Sequence, residues 1–153
     1  MKKALIVLLA LCAFAFAGYS QPKSFGLRLG DGLEITYQHD IYPGFLELDL
    51  GVAGHGLHPG FRASASYDFS LLRFNIGEGT FRMFLGPSLA LGMYDTMKFT
   101  TGILAQFGVE YSFAGIPVEL AVDTKPGFWI SEGGTINFDV VGMIPMASLR
   151  WKF

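Results

Sequence analysis

The sequence predicts an all-β fold: a transmembrane antiparallel up-and-down β-barrel of eight strands that follows a cleaved N-terminal signal peptide. Segments throughout the chain alternate apolar and polar side chains with the period of two that is typical of strands. Hydrophobic residues make up 51% of the chain and charged residues only 16%. Beyond residue 17, however, no apolar run approaches the roughly 18 residues that a spanning helix needs. Because backbone polar groups must pair internally within a membrane, such a chain is expected to close into a barrel.

The N-terminus has the features of a secretory signal peptide. Met1-Lys2-Lys3 is followed by an apolar run from Ala4 to Phe16 and by a small-x-small cleavage site. As a helix this run would cover only about 20 Å, less than the roughly 30 Å of a hydrocarbon core, which disfavours a membrane anchor. We predict a signal peptide over residues 1–17, with cleavage after residue 20 as the alternative, and the barrel over residues 18–153.

The mature chain offers little reactive chemistry. Cleavage would leave 153 − 17 = 136 residues without a cysteine, because Cys12 lies in the apolar run, and bulky Leu11 before it disfavours lipid attachment there. The mature charge would be 11 − 2 = 9 basic against 13 acidic residues, a net −4, which argues against a nucleic-acid partner.

Eight segments carry the strand alternation. Twenty glycines and seven prolines are spread between and within them, as expected for short strands joined by tight turns. An even number of strands would bring both ends of the barrel to one side of the membrane. The predicted strands span residues 24–30, 33–39, 45–52, 61–69, 80–91, 103–113, 118–125 and 143–153.

The hydrophobic pattern also predicts local features. A three-residue loop Gly30-Asp31-Gly32, with Gly32 left-handed as in a G1 bulge, would place Leu29 opposite Leu33 and Arg28 opposite Glu34. Pro87 is expected to cause a bulge or a local strand end, since proline removes a ladder hydrogen bond. For the same reason Pro145 is the expected weak point of the last strand.

The charged residues of these strands all fall on the face opposite the apolar one. An Arg or Lys facing lipid near the bilayer midplane would cost about 2 to 4 kcal/mol, which is enough to enforce this sorting. Thirteen charges, six basic and seven acidic, are therefore predicted to line the interior: Arg28, Glu34, Glu47, Asp49, Arg62, Asp68, Arg82, Glu110, Glu119, Asp123, Lys125, Arg150 and Lys152.

An eight-stranded barrel is only wide enough for its side chains to fill it, so these charges are expected to pair across strands as a polar core. The functional alternative is a narrow pore or a proton path. Aromatic residues near strand ends would form two interfacial girdles, or pack as core: Tyr37, Tyr42, Tyr67, Phe69, Tyr111, Phe113, Phe128, Trp129, Trp151 and Phe153.

No motif predicts catalysis, a cofactor or a metal site. His55 and His58 lie in a glycine-rich segment, but two histidines at that spacing are too few for a metal. Asp40 follows His39 and could orient it, yet no serine motif accompanies the pair. Nucleophile-elbow, phosphate-loop and HExxH patterns are absent from the sequence.

The alternating strands, the signal peptide and the terminal Leu149-Arg-Trp-Lys-Phe153 resemble the small eight-stranded outer-membrane barrels of Gram-negative bacteria, the OmpA-barrel and OmpX-like superfamily. Residues 112–126 are similar to a strand-turn-strand stretch of uncharacterised barrels of this kind. The resemblance implies a bacterial outer-membrane location, outer-membrane lipid as surroundings, and recognition of Trp151 and Phe153 by the barrel-assembly machinery.

The resemblance also implies an alternative function, since some small barrels modify lipid A with a histidine and a serine. No histidine here has a serine two residues later, and the short predicted external loops disfavour an adhesin. We therefore expect a non-enzymatic barrel with a structural or binding role, of which a subunit of a larger envelope complex is one form. A soluble periplasmic β-sandwich is the competing architecture.

Overall fold

The computed structural model describes residues 23–55, 58–94, 98–139 and 141–153. The predicted signal peptide and both cleavage sites lie outside them. In the described residues no helix is long and apolar enough to cross a membrane. One 3-10 turn is present at Val141–Met143, and ten strands: β1 (Lys23–Leu29), β2 (Gly32–Ile41), β3 (Gly44–His55), β4 (His58–Ile76), β5 (Gly79–Tyr94), β6 (Lys98–Ser112), β7 (Val118–Thr124), β8 (Gly127–Ser131), β9 (Ile136–Asp139) and β10 (Met146–Lys152).

The strands form one closed antiparallel sheet. β7 and β8 pair with successive parts of β6 and together make one broken barrel strand. β9 pairs with β8 and β10 with β7, so these two share the eighth position, and β10 closes the barrel against β1. The described chain is therefore an eight-stranded up-and-down barrel, which confirms the predicted all-β fold class.

The stagger of the barrel follows from one row of paired residues. The row starts at Val109 in β6, passes through the other seven barrel strands and returns to β6 at Phe99, a displacement of 109 − 99 = 10 residues. With about 3.3 Å per residue and about 4.8 Å between strands, the strands tilt by about 41°, as closed barrels require. All members are apolar: Val109, Val122, Ala147, Leu29, Leu33, Val52, Phe61, Met93 and Phe99.

The barrel has two rims. At the terminal rim β1 begins and β10 ends, and the backbone N–H of Phe153 donates to the carbonyl of Lys23 at 2.9 Å. The turns that follow β2, β4 and β6 share this rim. At the opposite, distal rim β1, β3, β5 and β8 end. Both ends of the barrel thus lie on one side, as expected for an even number of strands.

Several predicted connections are wrong because strand pairing continues through them. β4 extends to Ile76 after a bulge between Ser70 and Leu72, where a connection was expected over residues 71–79. At the distal rim the β3–β4 hairpin is paired as far as His55 and His58, and the β5–β6 hairpin as far as Tyr94 and Lys98. The glycines inside these hairpins do not end the strands. Because glycine has no side chain, it fits where neighbouring backbones approach closely.

The last two barrel strands are also broken differently from the prediction. No strand was predicted between residues 125 and 143, but β8 and β9 lie there. The final strand begins at Met146 rather than at residue 143, because the 3-10 turn and Pro145, which has no N–H for the ladder, precede it. The predicted weak point at Pro145 is therefore confirmed.

The first hairpin has the predicted register, with Leu29 opposite Leu33 and Arg28 opposite Glu34. The predicted left-handed conformation of Gly32 is wrong, since Gly32 has no positive φ and begins β2 opposite Ala53. The predicted disruption at Pro87 is also wrong. β5 continues through it, and its register with β4 is the same on both sides, although the ladder is interrupted between the Ser66–Ser88 and Phe69–Leu85 pairs.

Candidate functional site: the charged interior of the barrel

The barrel carries its polar side chains inside and its apolar ones outside. Outward positions hold large apolar residues that are about half exposed, such as Leu89 at 63% and Leu149 at 56%. Inward positions hold buried charged, amide and hydroxyl side chains. This distribution reverses the one that water imposes on a globular domain.

Twelve of the thirteen charged residues predicted to line the interior are buried within it. The thirteenth, Lys152, lies at the terminal rim with its side chain 29% exposed. Trp151 and Phe153, the predicted assembly signal, face outward at the same rim and are exposed.

A continuous series of ion pairs, here named the ion-pair chain, runs through the interior from rim to rim. At the distal rim Arg62 lies 3.2 Å from Asp31 and 2.8 Å from Glu34. Glu34 in turn lies 3.2 Å from Arg28, which lies 3.5 Å from Asp49. Acidic and basic side chains alternate from the first member onward.

The chain continues through the middle of the barrel. Asp49 pairs with Lys125, whose ammonium group lies 3.4 Å from Glu47. Glu47 then binds Arg150 at 2.7 Å, and Arg150 binds Glu110 at 2.8 Å. Lys125, the residue between β7 and β8, thus joins the two halves of the series.

The last members lie at the terminal rim. Arg82 binds Glu110 at 2.6 Å and Asp40 at 2.9 Å, and the Asp40 side chain is partly exposed. Two side chains brace the chain from the side, since Asp123 pairs with Arg28 and the Gln106 amide donates to Glu47 at 2.7 Å. Every barrel strand contributes at least one member, so the chain ties the whole wall together across the interior.

Asp68 stands apart from this pairing. Its side chain is 0% exposed, and neither carboxylate oxygen accepts a hydrogen bond from the described residues. Phe45 lies opposite Asp68 on β3, and Gly86 lies beside it on β5. A buried carboxyl group whose oxygens accept no hydrogen bond is costly, so Asp68 is a destabilising member of the described interior.

Two rings, here named the aromatic plug, close the interior at the distal rim. Trp129 is 0% exposed and meets Tyr94 edge to face, with ring centroids 5.6 Å apart. Ala90 and Leu104 complete this apolar cluster. Gly102 makes room for it, since a Cβ there would lie 3.1 Å from three indole atoms.

Of the two predicted arrangements for Trp129, an interfacial girdle or core packing, the structure shows core packing. β8 keeps the parity of β7 across Lys125 and Pro126, so the alternation that starts at Val118 already places Trp129 inward. At the terminal rim, two predicted girdle tyrosines hydrogen-bond to backbone: Tyr67 donates to Ile41 at 3.1 Å, and Tyr111 donates to Ile76 at 3.0 Å.

A polar cavity of about 190 Å³, here named the terminal cavity, opens at the terminal rim below the ion-pair chain. It contains acidic, basic and hydroxyl side chains contributed by six barrel strands. Its lining consists of Asp40, Arg73, Thr80, Arg82, Glu110, Ser112, Glu119 and Lys152.

The histidines do not assemble into a site in the described structure. His39 shares the outward face of β2 opposite Lys23, whereas Asp40 points inward to Arg82, so Asp40 does not orient the imidazole. His55 and His58 are paired through their backbones, and their side chains lie outside the described residues. Among the described residues, no three His, Cys, Asp or Glu side chains are grouped to hold a metal ion.

No protein-family model matches the chain, and no match was found among curated proteins or solved structures. The geometry itself defines a closed eight-stranded antiparallel barrel with a charged interior and an apolar outer wall.

Proposed function

We propose that the chain is an integral barrel protein of the bacterial outer membrane, with a packed, non-conducting interior and a structural or binding role, alone or within a larger envelope complex. The observation that carries this proposal is the reversed distribution of side chains, apolar outside and ionic inside. Water on the outer wall would oppose that distribution, whereas lipid favours it. The proposal assigns the protein no catalytic role.

The height of the apolar wall supports a membrane location. β5 carries an apolar outward side chain at every second position from Phe81 to Met93. The twelve steps from Phe81 to Met93, each rising about 2.5 Å along the axis of a strand tilted by about 41°, cover about 30 Å. This exceeds the roughly 25 Å apolar band of outer-membrane barrels. Among the charged strand residues whose side chains the structure describes, Lys23 alone shares the outward face, and it lies at the terminal rim.

The packing of the interior supports a barrel that does not conduct. The aromatic plug covers the distal end, and the ion-pair chain fills the middle. Four members of the chain are arginines, which do not release protons in proteins: Arg28, Arg62, Arg82 and Arg150. A proton relay through these guanidinium groups is therefore disfavoured, as is the passage of ions.

The position of β10, the strand that closes the barrel, supports assembly by the outer-membrane machinery. Trp151 and Phe153 lie outward and exposed on the strand that closes the barrel. In that position they would be accessible to the barrel-assembly machinery until β1 pairs with β10. Export through the N-terminal signal peptide is part of the same proposal.

A charge on the outer wall tests the proposed location. Leu89 lies in the middle of β5 between Ala65 and Ile103. Leu89→Arg is expected to destabilise the barrel by about 2 to 4 kcal/mol in lipid vesicles, measured by urea titration of the heat-modifiable gel shift. Glu132→Arg, in the exposed distal turn, is the control and should change stability by less than about 0.5 kcal/mol.

The competing soluble architecture gives the opposite result. An exposed leucine in water tolerates arginine, so a Leu89→Arg protein as stable as the parent and folded without detergent would overturn the membrane proposal.

A further inference from the structure

We infer that the free edge of β9 binds an extended segment of another polypeptide, which adds to the barrel sheet as one further antiparallel strand. This inference names a partner surface for the proposed binding role, on which it rests. β9 is the one strand of the described sheet that has a single neighbour, β8. Unpaired strand edges are the surfaces to which other chains add strands in β-augmentation.

The hydrogen bonds of the β8–β9 hairpin show which backbone groups of β9 are free. The N–H of Ser131 donates to the carbonyl of Thr135 at 3.0 Å, so these two residues form a hydrogen-bonded pair. Every second residue of an antiparallel strand forms such a pair, which directs the backbone groups of Asn137 toward β8. The N–H and C=O groups of Ile136 and Phe138 therefore point to the other edge, where no described residue pairs with them.

The barrel wall leaves room for a further strand beside β9. Leu29, the last residue of β1, shares a row with Val122 of β7. Asp139, the last residue of β9, shares a row with Gly127, which lies 127 − 122 = 5 residues farther along the same broken barrel strand. β1 would need at least five more residues to run beside β9, but the chain turns back after Leu29 and begins β2. A gap therefore remains in the wall on the distal side of the β1–β2 hairpin.

The free backbone groups favour a polypeptide over a lipid as the occupant of this gap. Ile136 and Phe138 each present one donor and one acceptor along the edge. A peptide backbone carries both kinds of group at the matching spacing. An acyl chain carries neither kind, and the ester carbonyl of a lipid accepts hydrogen bonds but cannot donate one to the carbonyls of β9.

The tilt of the strands argues against a second copy of this chain as the occupant. Two upright copies in one membrane would be related by a two-fold axis parallel to the barrel axis. Because the strands tilt by about 41°, the two β9 edges would cross at about 82° and could not pair side by side. A segment of a different polypeptide has no such restriction.

The side chains of β9 define the kind of segment that fits. Ile136 and Phe138 face outward and are 64% and 48% exposed, whereas Asn137 lies between them, opposite the inward Trp129. Residues directly opposite each other in an antiparallel pair share a face of the sheet. The segment is therefore expected to place apolar residues opposite Ile136 and Phe138, and a small polar residue opposite Asn137.

A peptide titration of the folded full barrel in detergent micelles tests the inference. The probe is the fluorescein-labelled peptide Thr-Ile-Thr-Phe-Thr-Ile-Thr-Lys, and we expect a saturable rise in its fluorescence anisotropy. Methylation of the isoleucine and phenylalanine backbone nitrogens should weaken binding at least tenfold, because these N–H groups would face β9. Methylation of three threonine nitrogens is the matched control and should leave binding nearly unchanged.

Substitutions at Phe138 provide a matched pair of proteins. Phe138→Pro removes the ring and the N–H of the free edge and should weaken peptide binding at least tenfold. Phe138→Val removes the ring but keeps the N–H and an apolar side chain, so it should bind the peptide nearly as well as the parent. Proline is tolerated on an edge strand where its nitrogen faces away from the ladder, and the gel shift verifies folding. Ile136→Pro, which removes the other free N–H, is the second variant.

Four results would overturn the inference. These are no binding of the unmodified peptide, equal binding of the two methylated peptides, equal binding by the Phe138→Pro and Phe138→Val proteins, or a cross-linked dimer of the barrel that only the proline variants abolish. The last result would assign the edge to a second copy. Because the titration is performed in micelles, its failure would remove the partner surface while leaving the Leu89→Arg test of the membrane proposal intact.

Discussion

Asp68 is a buried carboxyl group that is expected to destabilise the interior around it. Most buried carboxylates of the barrel accept hydrogen bonds from an arginine, a lysine or a hydroxyl group, but Asp68 accepts none from the described residues. Its neighbours across the strands are Phe45 and Gly86, which offer no side-chain donor. Asp49 is the contrasting buried aspartate, because its carboxylate pairs with both Lys125 and Arg28.

Replacing each aspartate by asparagine should therefore have opposite effects. Asp68→Asn replaces a buried carboxyl group whose oxygens accept no hydrogen bond with a neutral amide and is expected to raise the free energy of unfolding by about 1 kcal/mol. Asp49→Asn removes one carboxylate from Lys125 and Arg28, which keep their other acidic partners, and should lower it by about 1 to 3 kcal/mol. Urea titration of both variants in vesicles measures the difference. A destabilised Asp68→Asn protein would show that Asp68 has a stabilising partner.

The two tryptophans differ in the surface that each one meets. Trp151 is 57% exposed on the outer wall, whereas Trp129 is 0% exposed in the aromatic plug. In vesicles of brominated lipids, the fluorescence of a Trp129→Phe protein, which retains Trp151, should be strongly quenched. A Trp151→Phe protein should be quenched only weakly. Equal quenching of the two variants would contradict the inward position of Trp129.

The alternation of apolar and polar residues along each strand predicts which side chains face the interior but not which of them pair with each other. Arg28 and Glu34 are opposite each other in the first hairpin, and the sequence already places them together. Glu47 and Arg150 are 103 positions apart and meet only across the closed barrel. Such contacts depend on the stagger of all eight strands, which no single segment encodes.

At the scale of elements, the bulge in β4 explains the largest error in the predicted strands. Leu71 and Leu72 both face outward, so the phase of the alternation changes between them. Beyond the bulge, Leu72, Phe74 and Ile76 alternate with polar residues as clearly as the segment before it. An unbroken period of two is too strict a criterion, because one bulged residue shifts the phase without ending the strand.

Deletion of Leu71 should therefore be tolerated. The shortened strand would keep Arg73 inward and Phe74 outward, and only the bulge would be lost. Deletion of Ala65, in the regular part of β4, would move every side chain on one side of the deletion to the opposite face of the sheet. It is therefore expected to abolish folding. The fraction of heat-modifiable protein after refolding into vesicles compares the two. Equal loss of folding would show that the bulge itself is required.

At the scale of the whole molecule, the wall and the filling of the barrel support the same proposal. The apolar outer wall is tall enough to span a membrane, and the ion-pair chain fills the middle of the barrel that this wall encloses. Alternation along the sequence was sufficient to predict the wall. The aromatic plug and the terminal cavity were not predicted, because they arise where residues from several strands meet.

The purified barrel is expected to be electrically silent in planar lipid bilayers. Trp129→Ala should be silent as well, because the ion-pair chain still fills the barrel beneath the plug. Discrete conductance steps from the parent protein would support the pore alternative. Steps from Trp129→Ala alone would mean that the plug, rather than the chain, blocks the interior.

The path of the ion-pair chain also constrains how the protein can reach its folded state. Each link needs residues from strands that are distant in sequence, and the Glu47–Arg150 contact needs β10 in place. A sheet that has inserted without its last strand would expose Glu47 and Glu110 to a half-formed interior without Arg150. Unpaired charges of this kind are costly in a low-dielectric surrounding. Closure is thus expected to be all-or-none, with partly inserted sheets too unstable to accumulate.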